Sequence, residues 1–379
     1  MRLLNRELLK SNIEKIAEYD PMHHKAFGSA YCVIQEGEIV YKNCFGYTSI
    51  DGVKPVTENT IFRLASMTKP VTAMAVMILV ERGILSLSDP VWKYLPAFRD
   101  VPVIECTDSQ AFTDKGKAKT DITIRHLLTH TAGFGSEEPK ILGMTAKDKR
   151  TIDDSIQYFL NAGLDYEPGT NQKYSATGAF DVLVKIVELV TGMDFQEFVK
   201  KEIFAPCNMP NTAFVPTKEQ WDEMMDMCQI VDGKISVKRT GDCIFGDYPC
   251  THYLGGAGLV STLSDYTNFA KMLLNEGITE SGRLISEESF RLLTTPYVPK
   301  EIMPGNQNWG LGLRLMLDES APHLQVDTFG MSGAFGSHFW VDPRNRIVAV
   351  LLKNSPFDPV TVSDAGKNFE KAVADSFMS

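Results

Sequence analysis

The segment FRLASMTKPVTAMAVMILVERG, residues 62–83, places a serine and a lysine at the start of an apolar helix. Ser66 and Lys69 are three residues apart, so both side chains would lie on one face of that helix. A lysine among apolar residues is costly unless it has partners or chemical work, and Gly83 is placed to end the helix. The segment therefore predicts either an accidental pair or a serine nucleophile beside an activating lysine.

The chemistry of a serine nucleophile fits this arrangement. A serine hydroxyl attacks a carbonyl only when a base takes its proton, and free N–H groups at a helix N-terminus can stabilise the resulting oxyanion. However, roughly one Ser-x-x-Lys match is expected by chance in a chain of average composition and this length. The motif alone therefore decides nothing.

Strand patterns lie at the two ends of the chain, and helical patterns lie between them. Residues 29–51 predict a hairpin around Glu36-Gly37. The helical segments include TIRHLLTHTAGF from Thr123 to near Gly133, GAFDVLVKIVELVTG closing at Gly192, and STLSDYTNFAKMLLNEG with Ser264 as N-cap. Strand patterns return in WGLGLRLML from Trp309, LQVDTFGM, SHFWVD and RIVAVLLKN, followed by a last helix.

This order predicts an α/β protein of the α+β type. Residues 1–85 and 296–379 would form one discontinuous domain, with an antiparallel sheet built from both chain ends and flanked by helices. Residues 86–295 would form an inserted, mainly helical domain. The active site would lie in the cleft between the two domains.

Composition limits the partners. The 379 residues carry a formal net charge of −10, which argues against non-specific binding to nucleic acid or to an anionic membrane. The first 20 residues lack the apolar core of a signal peptide. Seven cysteines, an odd number without C-x-x-C spacing, predict reduced thiols and a cytoplasmic protein. The oligomeric state stays open.

Ordered sequence blocks resemble the penicillin-recognising serine hydrolases, which include class C β-lactamases, D-alanyl peptidases and β-lactamase-like esterases. The blocks are LSLSDPVWKYLPAF, ITIRHLLTHTAGF, YEPGTNQKYSATG, IFAPCNMPNTAF, GGAGLVSTLSDYTNFAKMLLNEG, NWGLGLRL and FGMSGAFGSHFWVDP. They follow the family's order from about residue 28 to the C-terminus. The resemblance implies a β-lactamase/transpeptidase-like fold.

The resemblance also implies roles for individual residues. Ser66 would be the acylated nucleophile and Lys69 its hydrogen-bonded activator. Tyr174, in NQKYSATG, would be the general base or would relay protons with the lysine; the sequence does not decide between Lys69 and Tyr174 as the base. The backbone N–H groups of Ser66 and Ala334 would form the oxyanion hole.

Two motif positions depart from the β-lactamase pattern. Ala176 stands where β-lactamases carry an asparagine that touches the substrate amide. Met331, Ser332 and Gly333 stand where they carry Lys-Thr-Gly, so the cation that meets an antibiotic carboxylate is missing from the motif. Both departures favour an ester or neutral amide over a lactam.

Further candidates surround these motifs. Ser175, Phe335 and His338 would contact the substrate together with Met331, Ser332 and Gly333. His126 and His130 have the i, i+4 spacing of zinc ligands, but RHLLTH lacks the glutamate of the metalloprotease motif. We therefore expect structural histidines, no metal and no cofactor.

The sequence thus predicts a serine hydrolase acting through an acyl-enzyme on a small-molecule acyl substrate, with carboxylic esters as the leading class. The alternatives within enzymes are a β-lactamase, a D-amino-acid peptidase or amidase, and a transacylase. The alternative outside enzymes is a catalytically silent member of the family that binds a ligand in the same cleft.

Overall fold

The computed structural model describes residues 1–22, 26–106, 112–134, 151–232, 234–237, 253–318, 322–355 and 359–378. The α-helices in these ranges are α1 (Arg6–Met22), α2 (Lys69–Glu81), α3 (Ile124–Leu128), α4 (Ile152–Ala162), α5 (Gly178–Thr191), α6 (Phe195–Val199), α7 (Lys218–Asp222), α8 (Leu263–Leu274), α9 (Glu287–Leu293) and α10 (Pro359–Ala374). The β-strands are β1 (Gly28–Gln35), β2 (Glu38–Gly46), β3 (Phe62–Arg63), β4 (Pro102–Cys106), β5 (Phe112–Lys117), β6 (Cys228–Val231), β7 (Lys234–Val237), β8 (Val260–Ser261), β9 (Ile278–Thr279), β10 (Gly282–Arg283), β11 (Gln307–Trp309), β12 (Arg314–Met316), β13 (Phe329–Ser332), β14 (His338–Asp342) and β15 (Ile347–Lys353).

A seven-stranded antiparallel sheet forms the framework, in the order β11-β12-β13-β14-β15-β1-β2. The N-terminal and C-terminal parts of the chain meet in this sheet where β1 pairs with β15, from Ser29↔Lys353 to Gln35↔Ile347. The predicted antiparallel sheet from both chain ends is therefore confirmed, as is the predicted hairpin of β1 and β2.

Helices cover both faces of this sheet. α8 packs on β14, β15 and β1, while α1 and α10 pack against each other on the opposite face. All eight residues of β1 are buried, as expected for a strand that is covered on both sides. The core under α1 and α10 includes the aromatic side chains of Tyr31, Trp340 and Phe369.

The helix predicted from the Ser66 segment forms in two parts. Residues Ala65–Thr68 make a 3-10 turn, and α2 continues from Lys69. Every α2 residue from Lys69 to Leu79 is buried, which explains why the segment is apolar on all sides. The helix ends before Gly83, whose φ of 67° cannot continue it, as predicted.

The segment predicted as one strand from Trp309 instead forms two short strands, β11 and β12. The turn between them holds Gly312 at φ 71°. A Cβ at this position would lie 2.7 Å from the Cβ of Ala73 and 3.1 Å from the carbonyl oxygen of Lys69. Glycine is therefore needed for both the conformation and the close approach, and the turn rests against α2.

The helix after Thr123 is shorter than predicted. α3 ends at Leu128, and the chain then turns through His130 at φ 58° instead of continuing to Gly133. A left-handed residue cannot continue a right-handed helix. The predicted C-terminus of this helix is therefore wrong, and His130 lies on the turn after the helix.

The predicted end of one helix is confirmed, and the predicted N-cap of another is wrong. α5 ends at the left-handed Gly192, as predicted. α8 begins after Thr262, whose hydroxyl accepts a hydrogen bond from the Asp265 N–H, so the predicted N-cap Ser264 is wrong. Both residues have hydroxyls that can cap a helix, and the sequence alone does not choose between them.

Within the described ranges, no helix is both long enough and apolar enough to cross a bilayer. Among the cysteines whose side chains the structure describes, Cys32, Cys44, Cys207 and Cys228 are free thiols. Burial raises the pKa of the Cys32 and Cys44 thiols to about 11 and that of Cys207 and Cys228 to about 12. These thiols are therefore weak nucleophiles at neutral pH.

Candidate active site

Ser66 lies on a turn that the surrounding structure holds in a strained conformation. Ala65 before it has φ 47°, a left-handed conformation that costs a non-glycine residue about 1–3 kcal/mol. The Thr68 hydroxyl donates to the carbonyl of Ala65 at 2.6 Å and accepts from the Leu259 N–H at 3.0 Å. The partly exposed Ser66 is thereby placed at the start of the α2 segment.

Lys69 is fully buried, and its ammonium has three oxygen acceptors. Its Nζ donates to the carbonyl of Ala176 at 2.6 Å, to the carbonyl of Gly256 at 2.9 Å and to Ser66 Oγ at 3.4 Å. The same nitrogen lies 4.8 Å from the centroid of the Tyr174 ring, within cation–π range. These contacts hold Lys69 Nζ directly behind Ser66.

Gly256 is held in place by hydrogen bonds that join Asp181 and Thr72 to the preceding residue, Gly255, which we call the Asp181 clamp. The Asp181 carboxylate accepts the Gly255 N–H at 2.9 Å, and the Thr72 hydroxyl donates to the Gly255 carbonyl at 2.7 Å. A Cβ on Gly256 would lie 2.4 Å from the carbonyl oxygen of Ala176, so only glycine lets both carbonyls converge on the lysine. Sequence reasoning missed Asp181 because nothing local links it to Lys69.

Among the described residues, Tyr174 makes the shortest hydrogen bond to Ser66 Oγ. Its Oη donates to Ser66 Oγ at 2.6 Å. His130 fixes the backbone on both sides of the tyrosine, because its carbonyl accepts the Lys173 N–H and its Nδ1 accepts the Ser175 N–H, both at 3.1 Å. The imidazole also packs 4.7 Å from the tyrosine ring, measured between centroids.

His130 is a buried, neutral histidine. Burial, together with the positive charges of Lys69 and Arg314, lowers its pKa well below its ordinary value. His126 has a separate task, since its Nδ1 accepts the Thr123 N–H in the cap of α3. The described residues contain no cluster of three or more metal-ligating side chains. His130 therefore positions Tyr174, a role that sequence reasoning did not assign to it.

The end of β13 packs directly on the turn before Ser66. A Cβ on Gly333 would lie 2.3 Å from the carbonyl oxygen of Leu64. Ala334 packs in one small cluster with Ala65, Met227 and Phe335. This brings Ala334 next to the turn that carries Ser66, and its role in an oxyanion hole stays a prediction.

Three side chains predicted to contact the substrate are instead buried. Ser175 is 1% exposed, and its hydroxyl accepts the Ala179 N–H at the start of α5. Met331 and Phe335 are each 3% exposed and face hydrophobic clusters. These three side chains therefore pack beneath the surface of the site, whereas Ser332 is partly exposed at the end of β13.

His338 contacts Ser332 and not the nucleophile turn. Its Nδ1 lies 2.9 Å from Ser332 Oγ, and its Nε2 lies 2.9 Å from a carboxylate oxygen of Glu370 on α10. Sequence reasoning did not find Glu370, because α10 reaches β14 only in the folded chain.

Known proteins resemble this chain over nearly its whole length. A family model described as Beta-lactamase matches residues 9–372. Esterase EstB from Burkholderia gladioli is 26% identical over 390 residues, which cover 94% of this chain and 94% of that protein. A putative D-alanyl-D-alanine carboxypeptidase from Escherichia coli (strain K12) is 26% identical over 393 residues, covering 94% of this chain and 86% of that protein.

A solved structure shows the same fold. EstCE1, described as a hydrolase with promiscuous acyltransferase activity, superposes with a TM-score of 0.78 at 22% identity. The alignment covers 95% of this chain and 98% of that chain. The predicted β-lactamase/transpeptidase-like fold is confirmed. Since the family model spans nearly the whole sequence, the chain belongs to the β-lactamase family, a family of serine hydrolases.

Proposed function

We propose that this protein is a serine hydrolase that forms an acyl-enzyme at Ser66 and acts on carboxylic esters. The observation that carries the proposal is the contact of Ser66 Oγ with Tyr174 Oη at 2.6 Å and with Lys69 Nζ at 3.4 Å. A serine hydroxyl that contacts both a phenol able to exchange protons with it and a lysine amine has the groups that nucleophilic catalysis requires. A silent binding protein would have no need of this geometry.

The proposed reaction begins when Tyr174, as phenolate, takes the Ser66 proton and Ser66 Oγ attacks the carbonyl carbon. The ammonium of Lys69 offsets the negative charge on the phenolate, and N–H groups at Ser66 and Ala334 bind the oxyanion. Collapse of the tetrahedral intermediate breaks the bond to the leaving oxygen, which takes the proton from Tyr174. Water then repeats these steps on the acyl-enzyme and releases the acid.

Two side chains support esters over lactams. Met331 is uncharged and buried where β-lactamases present a lysine, and Ala176 lacks the amide that β-lactamases direct at the substrate. The likeness to an esterase supports the same choice. The carboxypeptidase relative favours peptide or amide hydrolysis as the second candidate, and the acyltransferase activity of EstCE1 makes acyl transfer a third.

Intact-mass measurement tests the proposal. The protein is incubated with a fluorophosphonate and, separately, with p-nitrophenyl acetate at several pH values from 6 to 9. We expect one adduct per chain on Ser66 and none on the Ser66→Ala variant. Absence of any adduct across this pH range would overturn the assignment in favour of a binding protein.

We also propose a division into a sheet domain of residues 1–85 and 296–379 and a helical domain of residues 86–295, with the site in the cleft between them. The sources of the site residues support it, since Ser66 and Lys69 come from the first region and Tyr174 from the second. We further propose a cytoplasmic location, which the free thiols support and which cell fractionation tests.

A further inference from the structure

A cavity of about 400 Å³ lies beside β13, and its lining does not include the catalytic residues Ser66, Lys69 and Tyr174. It is bounded by β11 to β14, the segment before β13, and α10. Ser332 and His338 form part of its wall. Its volume lies within the range of pockets that hold small-molecule ligands.

The lining of this cavity is positively charged. Arg314, His323 and Lys367 contribute basic groups, and Glu370, which is the one carboxylate among the described lining residues, lies 2.9 Å from His338. Among the described residues, neither Arg314 nor Lys367 forms an ion pair with a carboxylate. In a chain with a formal net charge of −10, this local excess of cations attracts an anion.

Arg314 has room to reach the cavity because of its partner in the sheet. It lies opposite Gly330 in the pairing of β12 with β13, so no side chain covers it from that strand. Its guanidinium carbon lies 5.4 Å from the centroid of the Trp309 ring. That ring stacks on the Tyr174 ring at 5.7 Å, so one aromatic ring separates Arg314 from the tyrosine that contacts Ser66.

The end of β13 also connects the wall of the cavity to the turn before Ser66. Ser332 lines the cavity, and the next residue, Gly333, packs on Leu64 two residues before Ser66. The end of β13 therefore borders both the cavity and the turn that carries Ser66.

We propose that this cavity binds a carboxylate group of the substrate, with Arg314 as its principal partner. The proposal rests on the proposed ester hydrolysis and narrows the substrate class to esters that carry a free carboxylate, such as monoesters of dicarboxylic acids. A guanidinium binds a carboxylate through two parallel hydrogen bonds. Arg314 thus supplies, from a neighbouring strand, a cation that Met331 does not provide.

Matched ester pairs test this specificity. Mono-p-nitrophenyl adipate and p-nitrophenyl hexanoate place the carboxylate on the acyl side, and 4-acetoxybenzoate and its methyl ester place it on the leaving group. We expect kcat/KM to favour the charged member of one pair by about tenfold to a hundredfold, the usual effect of a charge-assisted hydrogen bond. Arg314→Met should reduce that ratio to about one, and Arg314→Lys should restore part of it.

Neighbouring lysines on α10 provide a matched control. Lys367 lines the cavity, whereas Lys371, one turn later, pairs with Asp375 and does not line it. Lys367→Met should lower the preference for the charged ester, and Lys371→Met should leave it unchanged. Equal kcat/KM values for both members of both pairs in the wild-type protein would overturn the proposal.

A binding measurement separates failure of this proposal from failure of the proposed function. If neither neutral ester is hydrolysed and no fluorophosphonate labels Ser66, the proposed function fails. Adipate binding is then measured by calorimetry. Binding to the wild-type protein that Arg314→Met abolishes supports a carboxylate site that accepts a free ligand, and equal or absent binding in both proteins overturns the site.

Discussion

Replacing Asp181 by alanine should loosen the carbonyl acceptor that holds Lys69, because Asp181 fixes the residue before that acceptor. Its fully buried carboxylate accepts the Gly255 N–H at 2.9 Å and the Ser155 hydroxyl at 2.7 Å. Gly256, the next residue, presents its carbonyl to Lys69 at 2.9 Å. Motion of this segment therefore moves one of the two carbonyls that anchor the ammonium.

The magnitude follows from the lost hydrogen bonds. Asp181→Ala leaves the Gly255 N–H and the Ser155 hydroxyl without this acceptor, at about 1–3 kcal/mol for each buried group. Removing a buried carboxylate relieves a desolvation cost that offsets part of this loss. We therefore expect the free energy of unfolding to fall by about 2–4 kcal/mol. Asp181→Asn retains an acceptor and adds an amide donor for Ser155, so its loss should be smaller.

The catalytic effect should exceed what instability explains. A displacement of about 1 Å at a catalytic group can cost on the order of a hundredfold in rate. We expect the rate of fluorophosphonate labelling at Ser66 to fall about tenfold to a hundredfold in Asp181→Ala. Labelling is measured well below the midpoint of thermal unfolding, and stability is measured by urea titration.

Ser155→Ala is the matched control, because it removes one partner of the carboxylate and leaves the contact with Gly255 intact. This variant should lose about 1 kcal/mol of stability and keep its labelling rate. A folded Asp181→Ala protein that labels as fast as the wild type would refute the reasoning. It would show that the Gly256 carbonyl holds its place without the clamp.

Three further predictions concern the other site residues. Lys69→Met keeps most of the buried volume and should lower acylation by about a hundredfold or more, as measured by labelling of a folded variant. Tyr174→Phe should lower kcat by about 10²–10⁴-fold with little change in KM; an effect on KM alone would make the tyrosine a binding group. Because the folded pKa of His130 is depressed, the unfolded chain gains a proton first as pH falls, and stability is lost. Between pH 7 and 5, the free energy of unfolding of the wild type should therefore fall by about 2 kcal/mol more than that of His130→Gln. Urea titrations that give the same decrease for both proteins would contradict this.

The sequence predicts features whose causes are local. Ser66 and Lys69 share a helix face because they are three residues apart, and that relation needs no tertiary information. The apolar run after Lys69 and the strand patterns at the chain ends likewise follow from periodicity. The resemblance to a known family added Tyr174 by motif position, and the hydrogen bond to Ser66 at 2.6 Å agrees with that placement.

Features with distant causes were not predictable in this way. Gly256 is 187 residues from Lys69, and Asp181 acts on it through one backbone N–H. Arg314 reaches the cavity only because β12 pairs with β13 opposite Gly330. His126 and His130 have the i, i+4 spacing of zinc ligands. However, the left-handed backbone and the burial of His130 place it beside Tyr174, where it holds the neighbouring backbone.

The surroundings of Lys69 and Tyr174 argue for different roles in moving the proton. The lysine donates to two carbonyls at 2.6 and 2.9 Å, and these contacts fix the position of its Nζ. Its distance to Ser66 Oγ, 3.4 Å, is long for proton transfer, whereas the tyrosine oxygen lies at 2.6 Å. We therefore propose Tyr174 as the proton carrier, with Lys69 as the charge that stabilises its phenolate. The Asp181 clamp then matters because a fixed charge stabilises the phenolate only while its distance from the ring is maintained.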